Sequence, residues 1–287
     1  MTGSTPDAFA ALLARGETVD VPGCYDALSA RLVQEAGFGA VYIGSYATAA
    51  TRALPDVGLL TMLELARHAE AVVAAVDIPV IADAEDGFVD AANIWRTVRS
   101  FEQAGVSAVH LEDHAGGKHT ELGRGLVPLD TMLGRLAAAV DARRDPGLRI
   151  IARTDAIWAT GDLDEAVRRM QAFAEVGADL VMPTGITPEQ LRAVRPDVSS
   201  PVVVVDAEES GVPRDFSGAA DLVLHYGFCL FAAVRSVRGA LAQLSDRRDP
   251  QSMAAGQESP SRLEARLGYD GFASRARRYG AGPATEP

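Results

Sequence analysis

The chain has 287 residues, 48% hydrophobic and 23% charged, a composition that supports a large buried core and excludes a disordered or fibrous polymer. Its 39 acidic residues against 27 basic ones give a formal net charge of -12, which repels phosphate backbones and anionic lipid and so argues against nucleic acid or membrane as partners. Two cysteines, Cys24 and Cys229, with neither CxxC nor Cys/His spacing, exclude a disulfide framework and a thiolate zinc site, and suit a reduced, cytoplasmic protein.

In chain order, the opening segment MTGSTPDAFAALLARGE has no basic region and only a short apolar stretch, unlike a signal peptide. No apolar run anywhere reaches the ~18 residues of a membrane helix. Eight short apolar runs then follow, each closed by polar or glycine residues, as expected of buried parallel strands. They are Thr18 to Pro22, Ala40 to Ser45, Pro79 to Asp83, Ala108 to Asp113, Leu148 to Asp155, Ala178 to Gly185, Pro201 to Asp206 and Ala220 to Tyr226. Between them lie stretches of helical period such as TMLELARHAEAVVAAV, AANIWRTVRSFEQAG and LDEAVRRMQAFAEVG. Only AEESGVPRDFSG, after Asp206, is too rich in glycine and proline to predict a helix. Eight alternations in about 250 residues predict an α/β fold, a (β/α)8 barrel of the TIM type, rather than an open sheet. No GxGxxG follows the first run, which removes the main support for a dinucleotide fold. The polar segment SDRRDPQSMAAGQESPS, from Ser245, reads as a linker and RLEARLGYDGFASRARRYG as a helical tail. The predicted division is a catalytic barrel over 1–245 and a linker with C-terminal helical extension over 246–287.

In such a barrel the active site forms at the carboxyl ends of the strands. The residues collected there are Gly44 and Ser45, then Asp83 with Glu85 and Asp86, then Glu112 and Asp113, followed by Arg153 and Asp155, Thr184, Asp206 and His225. Carboxylates crowded at one rim repel one another unless a cation offsets them. A divalent metal on Asp83, Glu85 and Glu112 is the economical reading, and oxygen ligation with retained water is the pattern of Mg2+. Taken singly, each acid reads as a solvated loop residue; three strand ends together point to the metal. The planar fork of Arg153 suits a substrate carboxylate or an internal pair with Asp155 or Glu112, and the residues alone leave both open. His68 and His110 fall inside helix and strand runs and read as structural, Cys24 reads as packing, and His114 and His119 read as loop residues.

The segments PGCYDALSARLVQEAGF, LPDVGLLTMLELARHAE, PVIADAEDGF, NIWRTVRSFEQAGVSAVHLED, IIARTDA and LDEAVRRMQAFAEVGADLV occur in order and resemble the isocitrate lyase and phosphoenolpyruvate mutase superfamily, in its short methylisocitrate-lyase-like branch. The resemblance runs from about Val21 to Asp206. It implies a Mg2+-dependent barrel, with Mn2+ as a substitute, that breaks a C–C or P–C bond of a small 2-oxo or 2-hydroxy acid through an enolpyruvate-like intermediate. By matching motifs it implies that Gly44 and Ser45, with Tyr46 and Thr184, hold the substrate, and that Asp56 approaches metal and substrate. It further implies that Asp83 ligates the metal while Glu85 and Glu112 act through its waters, and that Arg153 neutralises the oxyanion or carboxylate. A homodimer or homotetramer is implied as well, with the amphipathic C-terminal segment as local support.

The chain departs from the superfamily at three places. The aspartate-x-aspartate metal motif is Asp83-Ala84-Glu85. The loop that carries lysine-arginine-cysteine-glycine-histidine in the lyases is HAGGKHTELGRG, with Lys118 kept, His119 and Thr120 following, and no cysteine. The strand-six glutamate is Thr184. Without the cysteine the proton donor falls to Lys118 or His119, and oxaloacetate-decarboxylase-like chemistry places the fewest demands on the loop. The alternatives are P–C chemistry on a phosphonopyruvate-like acid, and a catalytically degenerate carboxylate-binding barrel.

Overall fold

A computed structural model describes residues 6–115, 125–206, 214–248 and 256–280. In chain order its elements are α1 (Pro6–Leu13), β1 (Val19–Cys24), α2 (Ala27–Glu35), β2 (Val41–Ile43), α3 (Ser45–Ala50), α4 (Met62–Val73), β3 (Val80–Asp83) and α5 (Ile94–Ala104). There follow β4 (Ala108–Glu112), β5 (His114–Ala115), β6 (Gly125–Leu126), α6 (Leu129–Ala142), β7 (Arg149–Thr154), α7 (Ala156–Thr160), α8 (Leu163–Glu175), β8 (Leu180–Pro183) and α9 (Pro188–Val194). The last are β9 (Val203–Val205), β10 (Leu222–His225), α10 (Phe228–Arg247), α11 (Pro260–Leu267) and α12 (Tyr269–Tyr279). All eight apolar runs are strands. They pair in parallel in the order β8-β7-β4-β3-β2-β1-β10-β9, and a parallel bridge between Val181 and Val202 links β8 to β9. The ring is therefore a nearly closed (β/α)8 barrel. Strands β5 and β6 add a short antiparallel hairpin, which the sequence reading leaves as loop because two-residue strands carry no periodic signal.

Side chains alternate along a strand, so every second residue faces the barrel axis. Val21, Tyr42, Ile81, Ala108, Ile151, Leu180, Met182, Val203, Leu222 and Leu224 form an inner core with Phe9 and Leu12 of α1. Those α1 side chains share this cluster with residues that open strands, such as Leu180 and Leu222, which puts α1 at the amino end of the barrel. A second core fills the space between strands and helices, where Leu65, Phe101, Leu136 and Phe173 lie on buried helix faces. In α5 the buried positions Ile94, Thr97, Val98, Phe101 and Ala104 recur at helical spacing. Helix starts are marked locally: Asp26 with Ser29, Thr61 with Glu64 and Thr187 with Gln190 form reciprocal capping boxes.

The chain parts into two compact units, Met1–Phe231 and Ala232–Pro287. Helix α10 runs on to Arg247, so the polar stretch read as a linker from Ser245 begins inside a helix. In the second unit α11 and α12 meet at Gly268, whose φ of 82° is a conformation glycine adopts without strain. Among the described residues no helix is long and apolar enough to cross a membrane.

Candidate active site

The inward-facing series that builds the core continues into polar residues at the carboxyl ends of the strands. Two residues beyond Ile81 stands Asp83; beyond Ala108 stand His110 and Glu112; beyond Ile151 stands Arg153. Strand register sets Asp83 opposite His110 and Glu112 opposite Arg153. Ligand atoms of Asp83, His110 and Glu112 all lie within 4.8 Å of one another, and all three residues are buried. The Asp83 carboxylate is firmly oriented: Oδ2 accepts from Ser45 N at 3.1 Å and Ser45 Oγ at 2.9 Å, and Oδ1 accepts from Glu85 N at 2.8 Å. His110 Nε2 lies 3.0 Å from the Tyr42 hydroxyl and 3.6 Å from Asp83 Oδ1. A side chain at Gly44 would displace Tyr42, because a Cβ there would fall 2.8 Å from the Tyr42 hydroxyl oxygen.

Arg153 sits between two carboxylates. Its Nε and Nη2 donate to Asp155 Oδ1 and Oδ2 at 2.7 and 3.0 Å, and Nη1 lies 2.8 Å from Glu112 Oε2. Burial works against its charge, but Asp155, Glu112 and Asp83 outweigh it and hold the guanidinium well above its ordinary pKa. Of the two readings the sequence left open, the internal pair is present. The same arginine borders a cavity of about 60 Å3 with Gly44, Ser45, Tyr46, Asp56, Asp83 and Tyr226, so its engaged fork still faces the space a small anion would fill. Tyr46 packs edge-on against Tyr226 and Phe231, at 5.5 and 6.1 Å between ring centroids.

Glu85 is not one of the three converging groups. Its backbone lies in the left-handed region at φ 51°, which aims its N–H at Asp83 while its carbonyl accepts from Glu112 N at 2.9 Å. It lines a second cavity of about 430 Å3 together with Asp86, Glu112 and His114. Thr184 stands at the end of β8, with its N–H on Thr154 O at 2.9 Å and its Oγ1 buried without a hydrogen bond among the described residues. Both Ser45 donors expected for a substrate carboxylate are engaged by Asp83. Lys118, His119 and Thr120 lie outside the described residues. His110, which the sequence suggests is structural, stands with Asp83 and Glu112, and the available signal is the inward face it shares with Glu112 two residues on. The sequence reading weighs Asp155 as a partner of Arg153, whereas it notes Asp113 only as a strand-end acid, without its partner Arg169.

The charge balance tests whether a metal fits. Among the described residues, the buried carboxylates at this end of the barrel are Asp56, Asp83, Glu112, Asp113 and Asp155, against the buried guanidinium groups of Arg153 and Arg169. Uncompensated buried charge is costly, and oxygen donors on Asp83 and Glu112 suit a hard divalent cation. A barrel with such a rim has the architecture of a metal-assisted enzyme acting on small anions.

The comparisons narrow this class. The family model described as phosphoenolpyruvate phosphomutase matches residues 9–243. The chain is 34% identical over 282 residues to a probable 2-methylisocitrate lyase of Corynebacterium glutamicum, covering 94% of this chain and 91% of that one. It is 44% identical over 173 residues to the 2,3-dimethylmalate lyase of Eubacterium barkeri, a match spanning 59% of this chain and 60% of the relative. A crystal structure of phosphonopyruvate hydrolase with oxalate and Mg2+ superposes with a TM-score of 0.87 at 29% identity, covering 96% of this chain and 98% of that one. The chain belongs to the phosphoenolpyruvate mutase and isocitrate lyase superfamily.

Proposed function

We propose that the protein is a Mg2+-dependent lyase, able to use Mn2+, that cleaves a C–C bond of a small 2-oxo or 2-hydroxy carboxylic acid through an enolpyruvate-like intermediate. The activity is methylisocitrate-lyase-like or oxaloacetate-decarboxylase-like. The observation that carries it is Arg153, buried between Glu112 and Asp155 beside Asp83 and facing the small cavity. Asp83 and Glu112 would hold the cation, with Glu85 acting through water, and the cation supplies Lewis acidity toward the oxygen on which negative charge grows. Ser45 orients Asp83 rather than contacting substrate through its hydroxyl. Arg153 stands where the developing charge needs a fixed counter-charge, and its two carboxylate partners keep it from reorganising during the reaction. Asp56, Gly44, Tyr46 and Thr184 bound the substrate, and Lys118 or His119 supplies the proton that quenches the carbanion carbon after the bond breaks.

The test is to incubate purified protein with Mg2+ and 2-methylisocitrate, 2,3-dimethylmalate or oxaloacetate, and to measure pyruvate or the matching 2-oxo acid product with and without EDTA. Turnover that EDTA abolishes and Mg2+ restores is expected for at least one of them. Release of inorganic phosphate from phosphonopyruvate alone would favour P–C chemistry, a second reading supported by the similarity to phosphonopyruvate hydrolase and by the missing loop cysteine. No turnover with retained oxalate binding would favour a carboxylate-binding barrel.

The reading includes a cytoplasmic homodimer or homotetramer, with the segment after Arg262 at the interface.

A further inference from the structure

Arg169 lies on α8, in the helical layer outside the barrel, yet only 5% of it is exposed. Its Nη1 donates to Asp113 Oδ2 at 2.9 Å and to Val127 O at 3.1 Å, and Nε donates to Glu165 at 2.6 Å. Asp113 is fully buried one residue past β4, and its second oxygen accepts from Asp155 N at 2.9 Å. Its backbone is tied in both directions, with N on Arg153 O at 3.2 Å and O accepting from Val127 N at 2.9 Å. Asp113 thus holds the stretch that carries the Arg153–Asp155 pair through its carboxylate, and the stretch that leads from β6 into α6 through its carbonyl and through Arg169, whose Nη1 bridges Asp113 Oδ2 and Val127 O.

We propose that Arg169 is a positioning residue for the active site: by fixing Asp113 it sets the placement of Asp155, and through it of Arg153, together with that of the Gly125–Val127 strand end. The inference rests on the reading of Arg153 as the group that meets the substrate anion. A charge-assisted bond to a fully desolvated carboxylate is strong and directional, so its loss frees Asp113 to move or to recruit water, and both tied stretches lose their common anchor.

The test compares wild type with R169Q and with R169Q/D113N, in which two neutral amides leave no buried charge unpaired. Oxalate, a planar dianion that mimics enolpyruvate, is titrated calorimetrically with Mg2+ at 25 °C. Hydrogen exchange is followed by mass spectrometry and melting by circular dichroism. R169Q is expected to melt lower and to bind oxalate about 10- to 100-fold more weakly. Its exchange should quicken at residues 125–129 and 155–158, neither of which lies in α8. The double variant is expected to regain the melting temperature but not the oxalate affinity, because neutral amides grip less firmly, and it carries the comparison should R169Q not fold. Wild-type oxalate affinity in a folded variant, with exchange altered only inside α8, would overturn the inference. Failure of the wild type itself to bind oxalate would overturn the proposed function instead, and the exchange pattern alone would then decide this one.

Discussion

Asp83 has two tasks that a single substitution would mix. We propose that it holds the cation, and it is the acceptor for Ser45 N, Ser45 Oγ and Glu85 N. Asp83→Ala should abolish metal-dependent turnover and also destabilise the fold by about 1–3 kcal/mol, since buried donors lose their acceptor. Asp83→Asn keeps one of the two acceptor oxygens and should be destabilised less than the alanine variant while binding Mg2+ much more weakly; calorimetry showing unchanged Mg2+ affinity in that variant would remove Asp83 from the metal site. Arg153→Lys retains the charge but cannot span Asp155 and Glu112 with a planar fork. Turnover should fall by about 10²-fold or more, with a smaller change in Mg2+ affinity, as steady-state kinetics and metal titration will show. Lys118→Ala should lower turnover far more than Mg2+ affinity. Equal activity of that variant and wild type would take the loop out of the chemistry.

At the scale of elements, α4 is tied to the segment that leads into α2. His68 Nε2 donates to Tyr25 O at 2.9 Å, bridging two elements that the sequence separates by 43 residues. Burial lowers the pKa of His68, and the bond to Tyr25 only partly offsets it. The unfolded chain therefore takes up a proton more readily than the folded one. Stability is unaffected while both states are neutral and is lost as pH falls below about 6.5, where the unfolded histidine begins to titrate. His68→Gln keeps a donor for Tyr25 and should flatten the acid limb of the melting temperature between pH 6.5 and 5. An unchanged limb would place the acid sensitivity elsewhere. Helix starts are legible at this scale because a capping box is local in sequence, whereas the bond from His68 is not.

At the scale of the whole molecule, light scattering at micromolar concentration is expected to give two or four times the monomer mass, and a monomer would overturn the proposed assembly. The sequence by itself determined the strand-helix alternation, the eight apolar runs and the rim acids, because a strand buried on both faces must be apolar along its length and ends where polar residues begin. It also determined the family, through motifs kept in order. Tertiary structure alone decided which partners those residues take. Arg153 meets Glu112 because β4 and β7 pair in one particular register, although 41 positions separate the two residues. Asp83 takes both donors of Ser45 because β2 and β3 are neighbours, and His110 joins Asp83 and Glu112 because alternate residues of β4 face one axis. Arg169 on an amphipathic helix looks like a solvated residue until α8 packs against the barrel and brings it to Asp113. Composition and periodicity record how a residue is buried, which is a property of its own segment. Pairing between charges is a property of two segments at once, and only the closed barrel fixes it.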